Sequence, residues 1–200
     1  IIVEKWEKGD FSDNIGAFWM EIHEGIFKNG KANGKGRLNR TSYELEENDG
    51  DSIKEGEIRS YSSQLIHEYI GIWENDILVE GKYYHRGQLI DEGQRNKFGL
   101  HGSGKTYFEG QIIYEGEYVK GLPQGSGSLY HNNGNIKYKG YFKRGLREGK
   151  GSSYFISGKL EYEGEWKKDQ KWGYGTLYYT NSEIEYKGYW IKNKKHGKGK

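Results

Sequence analysis

Four nearly identical stretches, each set 24 residues after the last, constrain this chain more than any other feature. They open as Tyr114-Glu-Gly116-Glu-Tyr118, Tyr138-Lys-Gly140-Tyr-Phe142, Tyr162-Glu-Gly164-Glu-Trp166 and Tyr186-Lys-Gly188-Tyr-Trp190. Each continues to one turn residue (Gly121, Gly145, Asp169, Asn193) and then to a Gly-x-Gly ending at Gly127, Gly151, Gly175 or Gly199. A fixed period in this range marks a repeat architecture, in which each unit needs its neighbours to bury anything.

Fainter copies precede the clear ones. Gly93, Gly102 and Gly104 repeat the glycine spacing, and Tyr69-Ile-Gly71-Ile-Trp73 with Asp76 and Gly81 keeps the front of a unit. Gly56 with Ile58 heads an eroded copy, Gly25-Ile-Phe27 with Gly30, Gly34 and Gly36 restores the full spacing, and Glu4, Trp6 and Gly9 fill the first slots. The expectation is about eight units. Residues 1–108 hold irregular, partly degraded copies with an insertion near 39–55 (Glu44 to Asp51), and 109–200 hold the regular repeats. Tyr61 occupies a turn-glycine slot, and Val79 and Glu80 stand where glycine is expected. The chain opens Ile1-Ile2 and stops just past a Gly-x-Gly, which reads as a fragment of a longer protein.

Within a unit, Ile112 to Tyr118 alternates apolar and polar residues, which is strand period. Gly127 to Tyr130 supplies a second strand. Gly121, Gly145, Asp169 and Asn193 tolerate a left-handed turn inside the unit, and Gly87, Gly110, Asn133-Gly134 and Ser157-Gly158 turn between units, Asn-Gly being a strong hairpin signal. The one proline, Pro123, is read as a turn residue that interrupts no ladder. Gly116 shares a face with Tyr114 and Tyr118, so a ring from a neighbouring strand is expected to lie over its bare backbone. The fold class is therefore all-β, an elongated single-layer antiparallel sheet of stacked β-hairpins, on the order of 80 Å long at strand spacing.

Composition agrees. Glycine makes up 32 of 200 residues, about twice its usual share, and aromatics reach 16% while all hydrophobics reach only 33%. That richness in rings argues against disorder despite a mean hydropathy of −1.02. Cysteine is absent, so disulfide and thiol chemistry are excluded; this fits a reducing compartment. No apolar run approaches the roughly 20 residues of a membrane span. Residues 1–100 carry 13 Lys and Arg against 19 Asp and Glu, and residues 101–200 carry 18 against 10, so a net charge of +2 hides an acidic half and a basic half.

The pattern Tyr-x-Gly-x-aromatic, turn residue, Gly-x-Gly resembles the MORN (membrane occupation and recognition nexus) repeat. The likeness is closest over 109–200, present over 21–38 and fragmentary over 39–108. The resemblance implies one antiparallel sheet of stacked hairpins whose aromatics line a groove. Similar repeats occur in junctophilins at membrane contacts, plant phosphatidylinositol phosphate kinases, a lysine methyltransferase, radial spoke head proteins of cilia and apicomplexan cytoskeletal scaffolds. In the enzymes they accompany a separate catalytic domain.

Several motifs invite sharper readings. Gly99-Leu-His-Gly-Ser-Gly104-Lys105-Thr106 matches a phosphate-binding loop letter for letter, but such a loop needs a buried strand before it and a helix after it, and neither flank has that pattern. His23, His67, His85, His101, His131 and His196 are scattered without metal-ligand spacing, so no metal, cofactor or catalytic residue is expected. Glu115/Glu117 and Glu163/Glu165 read as solvated cross-strand partners of Lys137, Lys139 or Lys187. Two candidate surfaces remain. One is a partner-binding groove of Tyr114, Tyr118, Tyr138, Phe142, Tyr162, Trp166, Tyr186 and Trp190, which a single-layer sheet leaves uncovered and which neighbours or guests must shield. The other is an anionic-partner patch of Lys187, Lys192, Lys194, Lys195 and Lys198.

The resulting expectation is a non-catalytic scaffold mediating protein–protein interaction in a cytoskeletal or ciliary (axonemal, radial-spoke-like) assembly, in the cytoplasm. The alternatives are a membrane-associated module binding anionic phospholipid, and the regulatory repeat region of an enzyme such as a phosphatidylinositol phosphate kinase. Nucleic acid and small-molecule substrates are not expected as partners.

Overall fold

Alternating polarity and closely spaced turn residues leave this chain little choice but short antiparallel strands, and that is what forms. The computed structural model describes residues 2–8, 17–45 and 61–200, with side chains over 21–41 and 66–200. Every regular element among them is a strand. These are β1 (Ile2–Lys8), β2 (Ala17–Lys28), β3 (Lys31–Leu45), β4 (Tyr61–Glu74), β5 (Ile77–His85), β6 (Gln88–Asn96), β7 (Gly99–Phe108), β8 (Gln111–Val119), β9 (Leu122–Tyr130), β10 (Ile136–Lys143), β11 (Leu146–Tyr154), β12 (Leu160–Lys167), β13 (Gln170–Tyr178), β14 (Ile184–Ile191) and β15 (Lys194–His196). The chain divides into two compact units, Ile1–Ile90 and Asp91–Lys200, the division falling within β6. In each unit the strands lie in chain order and pair antiparallel with their neighbours.

Register in both units is set by glycine. Gly93, Gly104, Gly116, Gly127, Gly140, Gly151, Gly164, Gly175 and Gly188 face one another in succession from β6 to β14. Gly25, Gly36, Gly71 and Gly81 do the same in the first unit. This row uses the second glycine of each Gly-x-Gly. The first one has another task, because register shifts recur just beyond the row within each hairpin, as between Gly116 and Tyr118. At these bulges Gly125 and Gly173 take φ of 76° and 58°, which glycine adopts without penalty.

In most of the two-residue turns both residues are left-handed, as in Lys120-Gly121, Arg144-Gly145, Lys168-Asp169 and Lys192-Asn193, whereas at Lys97-Phe98 only the following Gly99 is. Two left-handed residues in succession make the type I′ geometry whose twist suits a hairpin. The Asn133-Gly134 turn differs from expectation. Only Gly134 is left-handed, Gly134 N donates to His131 O at 2.9 Å and His131 N to Asn135 O at 2.8 Å, which makes a three-residue loop ending in a bulge. Pro123 also departs from its expected turn, lying one residue inside β9 opposite Tyr118.

The irregular first half is more regular than its sequence. Asn39–Leu45, the start of the expected insertion, continue β3 between β2 and β4; the rest of that insertion, and the copy headed by Gly56, lie outside the described residues. Tyr61 begins β4 instead of filling a turn slot. The register shift after Ile72, which pairs with Glu80 while Trp73 pairs with Leu78, skips Val79 at the place where glycine was expected. A small core of Ala32, Trp73 and Leu78, flanked by Phe27, Leu38 and Tyr69, closes the first unit.

Candidate functional site

Each clear repeat builds its share of the ring face from four residues. The leading tyrosine lies back along its own strand, over the glycine two residues on, and its hydroxyl donates to the carbonyl one residue further. The bonds are Tyr114 to Glu117 O (3.2 Å), Tyr138 to Tyr141 O (3.3 Å), Tyr162 to Glu165 O (3.1 Å) and Tyr186 to Tyr189 O (3.2 Å). A Cβ on Gly140 would stand 2.7 Å from Tyr138 Cζ and 2.6 Å from Gly151 Cα. The expectation that a neighbouring strand supplies the covering ring is thus corrected: the ring comes from the glycine's own strand and reaches across to the paired glycine as well, Tyr138 Cζ being 2.5 Å from a Cβ on Gly151. Burial pushes the Tyr138 phenol up to about 12 and those of Tyr114 and Tyr162 higher still, so these hydroxyls keep the proton they donate.

The second aromatic of each unit locks the tyrosines together. Edge-to-face contacts run without a break through Tyr118, Tyr114, Phe142, Tyr138, Trp166, Tyr162, Trp190 and Tyr186, with centroids 5.0–5.5 Å apart and planes 84–89° apart. This is the geometry ring quadrupoles favour. Trp166 Nε1 donates to Gly151 O (3.0 Å) and Trp190 Nε1 to Gly175 O (3.2 Å), so both indoles are satisfied. Tyr138 and Tyr162 are fully buried, and Tyr186, the most open of the eight, is 9% exposed. The groove of uncovered rings expected from the sequence is therefore filled: the rings shield one another and form the core of the second unit.

Cations complete the cover, a feature the sequence reading missed. Arg147, Lys171 and Lys195 are themselves 24 residues apart. The Arg147 guanidinium lies 4.1 Å from the Trp166 ring centroid and 5.5 Å from that of Tyr138. Lys171 stands over Tyr162 and Trp190 at 5.0 and 5.5 Å, and Lys195 over Tyr186 at 5.3 Å. Acids hold them there: Arg147 with Asp169 (3.0 Å), Lys171 with Glu161 (3.5 Å) and Lys195 with Glu185 (2.9 Å). The 24-residue recurrence of a cation was visible in the sequence, but nothing in a strand pattern says that it belongs over a ring.

The five lysines of the expected anionic patch do not act as one group. Lys195 sits on the ring face in its ion pair with Glu185. Lys187, between the ring-face residues Tyr186 and Gly188, points to the opposite face, as does Lys194, the partner of Ile191. Lys192 lies in a turn, and Lys198 is exposed beyond β15.

That opposite, outward face is the more open one. It exposes Tyr141 (45%), Tyr174 (46%) and Tyr189 (58%), the last two in edge-to-face contact at 5.3 Å. Above the glycine row it carries two adjoining open hollows, of about 430 and 520 Å³, which share Lys139, Gly140 and Lys150. Glu117 and Glu165, expected to face Lys137, Lys139 or Lys187, cap the bulges, accepting from Ser126 N (3.0 Å) and Tyr174 N (3.4 Å), while the cross-strand partner of Glu165 is Lys150. Glu115 does meet a lysine, Lys105 (3.5 Å), so the lysine of the apparent phosphate-binding loop lies mid-strand in β7 with a carboxylate across from it and no helix to cap.

A family model described as MORN repeat matches five segments of the chain, 23–42, 114–136, 138–159, 162–183 and 186–200, together just over half its length. Four of the five begin at a leading tyrosine or its slot in the clear repeats. No curated protein matches the chain.

Proposed function

The chain belongs to the MORN-repeat family, and from that premise we propose that it is a non-catalytic scaffold joining proteins in a cytoskeletal or ciliary assembly of the radial-spoke kind. MORN repeats are protein- and membrane-interaction modules. The observation that carries the reading is the contrast between the two faces of the second unit. Its ring face is saturated by its own aromatics and cations, whereas its outward face leaves tyrosines half exposed beside open hollows. Half-exposed tyrosines are what protein interfaces use as anchors, since the ring buries well and the hydroxyl still finds a partner.

Photo-crosslinking from position 174 or 189 in the native cell, followed by mass spectrometry, tests the reading. The expected result is a discrete set of cytoskeletal or axonemal proteins. A tagged chain that leaves no cross-link there and does not fractionate with the cytoskeleton would overturn it. One observation favours a second reading, in which the module docks on anionic phospholipid: Lys187, Lys192, Lys194 and Lys198 are exposed. A lysine held near an anionic membrane surface contributes about 1 kcal/mol. Flotation with phosphoinositide vesicles separates the two, since the scaffold reading requires no lipid.

A further inference from the structure

On the ring face of the first unit, one row across β2, β3, β4 and β5 is filled by Glu21, Arg40, His67 and His85, each the direct partner of the next. Arg40 is drawn towards Glu21, its Nε donating to Glu21 Oε1 at 2.8 Å. The outer two charges offset each other, and the two imidazoles are left side by side, ring centroids 5.1 Å apart and planes tilted by 42°. Tyr83 O–H and His67 Nδ1 lie 2.9 Å apart. His85 Nδ1 is buried and has no hydrogen-bond partner.

We propose that His67 and His85 form a two-imidazole site for a divalent transition-metal ion of the Cu(II), Ni(II) or Zn(II) class. Imidazole nitrogen is the ligand these ions favour. A metal–nitrogen bond of about 2.0–2.1 Å, added to about 1.1 Å from nitrogen to ring centre, puts two centroids about 5 Å apart at a near-tetrahedral angle. The observed spacing meets that condition, and rotation about χ2, a soft torsion, removes the tilt. In the tautomer where His67 Nδ1–H donates to the Tyr83 oxygen, Nε2 carries the lone pair available for ligation, and the outer hydrogen bond fixes the ring as it does for a metal-bound histidine. Coordination also supplies the partner that His85 Nδ1 lacks, at a place where an unsatisfied polar atom is costly. Among the described residues no third His, Cys, Asp or Glu joins the pair, so water completes the coordination and the site is open and exchangeable.

Linear spacing does not show this pair; register does, since both histidines lie four residues outside the paired Gly71 and Gly81. The test follows the six histidine ring resonances by NMR during titration of the wild-type chain with substoichiometric Cu(II). His67 and His85 should broaden first. Zn(II) and Ni(II) affinity by competition dialysis should fall at least tenfold in His67→Gln and His85→Gln, and stay unchanged in His101→Ala and His196→Ala, where the histidines are exposed. Uniform broadening of all six rings, or affinity that survives both glutamine substitutions, would overturn the site. The wild-type spectrum decides even where a variant fails to fold.

Discussion

Three glycines of one repeat, Gly140, Gly145 and Gly149, look alike in the sequence and hold the chain in three different ways. Gly140 leaves room for Tyr138, Gly145 forms the second position of a turn at φ 81°, and Gly149 makes the bulge at φ 67°. The substitution Gly140→Ala is expected to cost about 1–3 kcal/mol or more, because the new methyl meets ring and backbone that cannot retreat. Gly145→Ala has open space around its Cβ and should cost only the left-handed conformation, about 1 kcal/mol. Urea denaturation of the two variants checks the order; equal losses would mean that the Tyr138 contact is not what excludes a side chain at 140. The reverse case is Ser182. It takes the bulge position held elsewhere by Gly134 and Gly158, at φ 75°, so Ser182→Gly should gain about 0.5–1 kcal/mol by relieving strain. A melting temperature lower than that of the parent would contradict this.

The hairpin turn reaches across to the preceding unit, and the residue it meets there decides what the turn needs. Asp169 N donates to Arg147 O (3.1 Å), while Asp169 Oδ1 accepts from Arg147 N (2.9 Å). Asn193 treats Lys171 the same way, and Asp76 treats Ala32. Gly145 donates to Pro123 O (2.8 Å), and proline has no N–H for an acceptor to receive. Asp169→Gly keeps the left-handed backbone and is expected to cost about 1 kcal/mol for the lost bonds, with little from the partly exposed ion pair. Gly145→Asp should gain nothing from its new carboxylate. A stabilised Gly145→Asp variant by thermal melting would show that the acceptor acts otherwise. Much of this element was readable beforehand. The 24-residue step and the alternation of polarity located the strands, and the turn slots fell where Gly, Asp or Asn alternated; that the glycines face one another across every pair was not read from them. What stayed hidden depends on where side chains lean once strands are paired. Period 2 places Tyr138 on a face but does not say that it lies back over its own Gly140, and it does not place Arg147 over Trp166. For the same reason the eight rings read as a groove when they are a core: edge-to-face contact between Tyr138 and Trp166 joins residues 28 apart in sequence, which only the assembled sheet brings together.

Across the whole chain, the two units rest on titratable aromatics of opposite kind, so opposite ends of the pH scale should loosen them. In the first unit, burial lowers the pKa of His23 against the opposing pull of Asp76 and Glu21, and burial, His85 and Arg40 lower that of His67. A histidine depressed in the folded state contributes its full stability above the unfolded value near 6.5, and loses it as pH falls below that value towards the folded pKa. In the second unit, burial raises the phenols of Tyr118 and Tyr138 to about 12 and those of Tyr114 and Tyr162 further. A tyrosine raised in the folded state is fully stabilising below the unfolded value near 10, and loses that contribution as pH climbs from there towards the folded pKa. Methyl resonances report on each unit separately: Leu38 and Leu78 lie in or against the first core, Leu129 and Leu177 against the second. Acidification from pH 7 to 5 should weaken the native signals of Leu38 and Leu78 first, and alkalinisation past pH 10 those of Leu129 and Leu177. Replacing His23 by Gln should flatten the acid response of the first unit and leave the alkaline response of the second untouched. If all four methyls instead fade together at both extremes, the units do not divide their titrating groups in the way the burial of these rings requires.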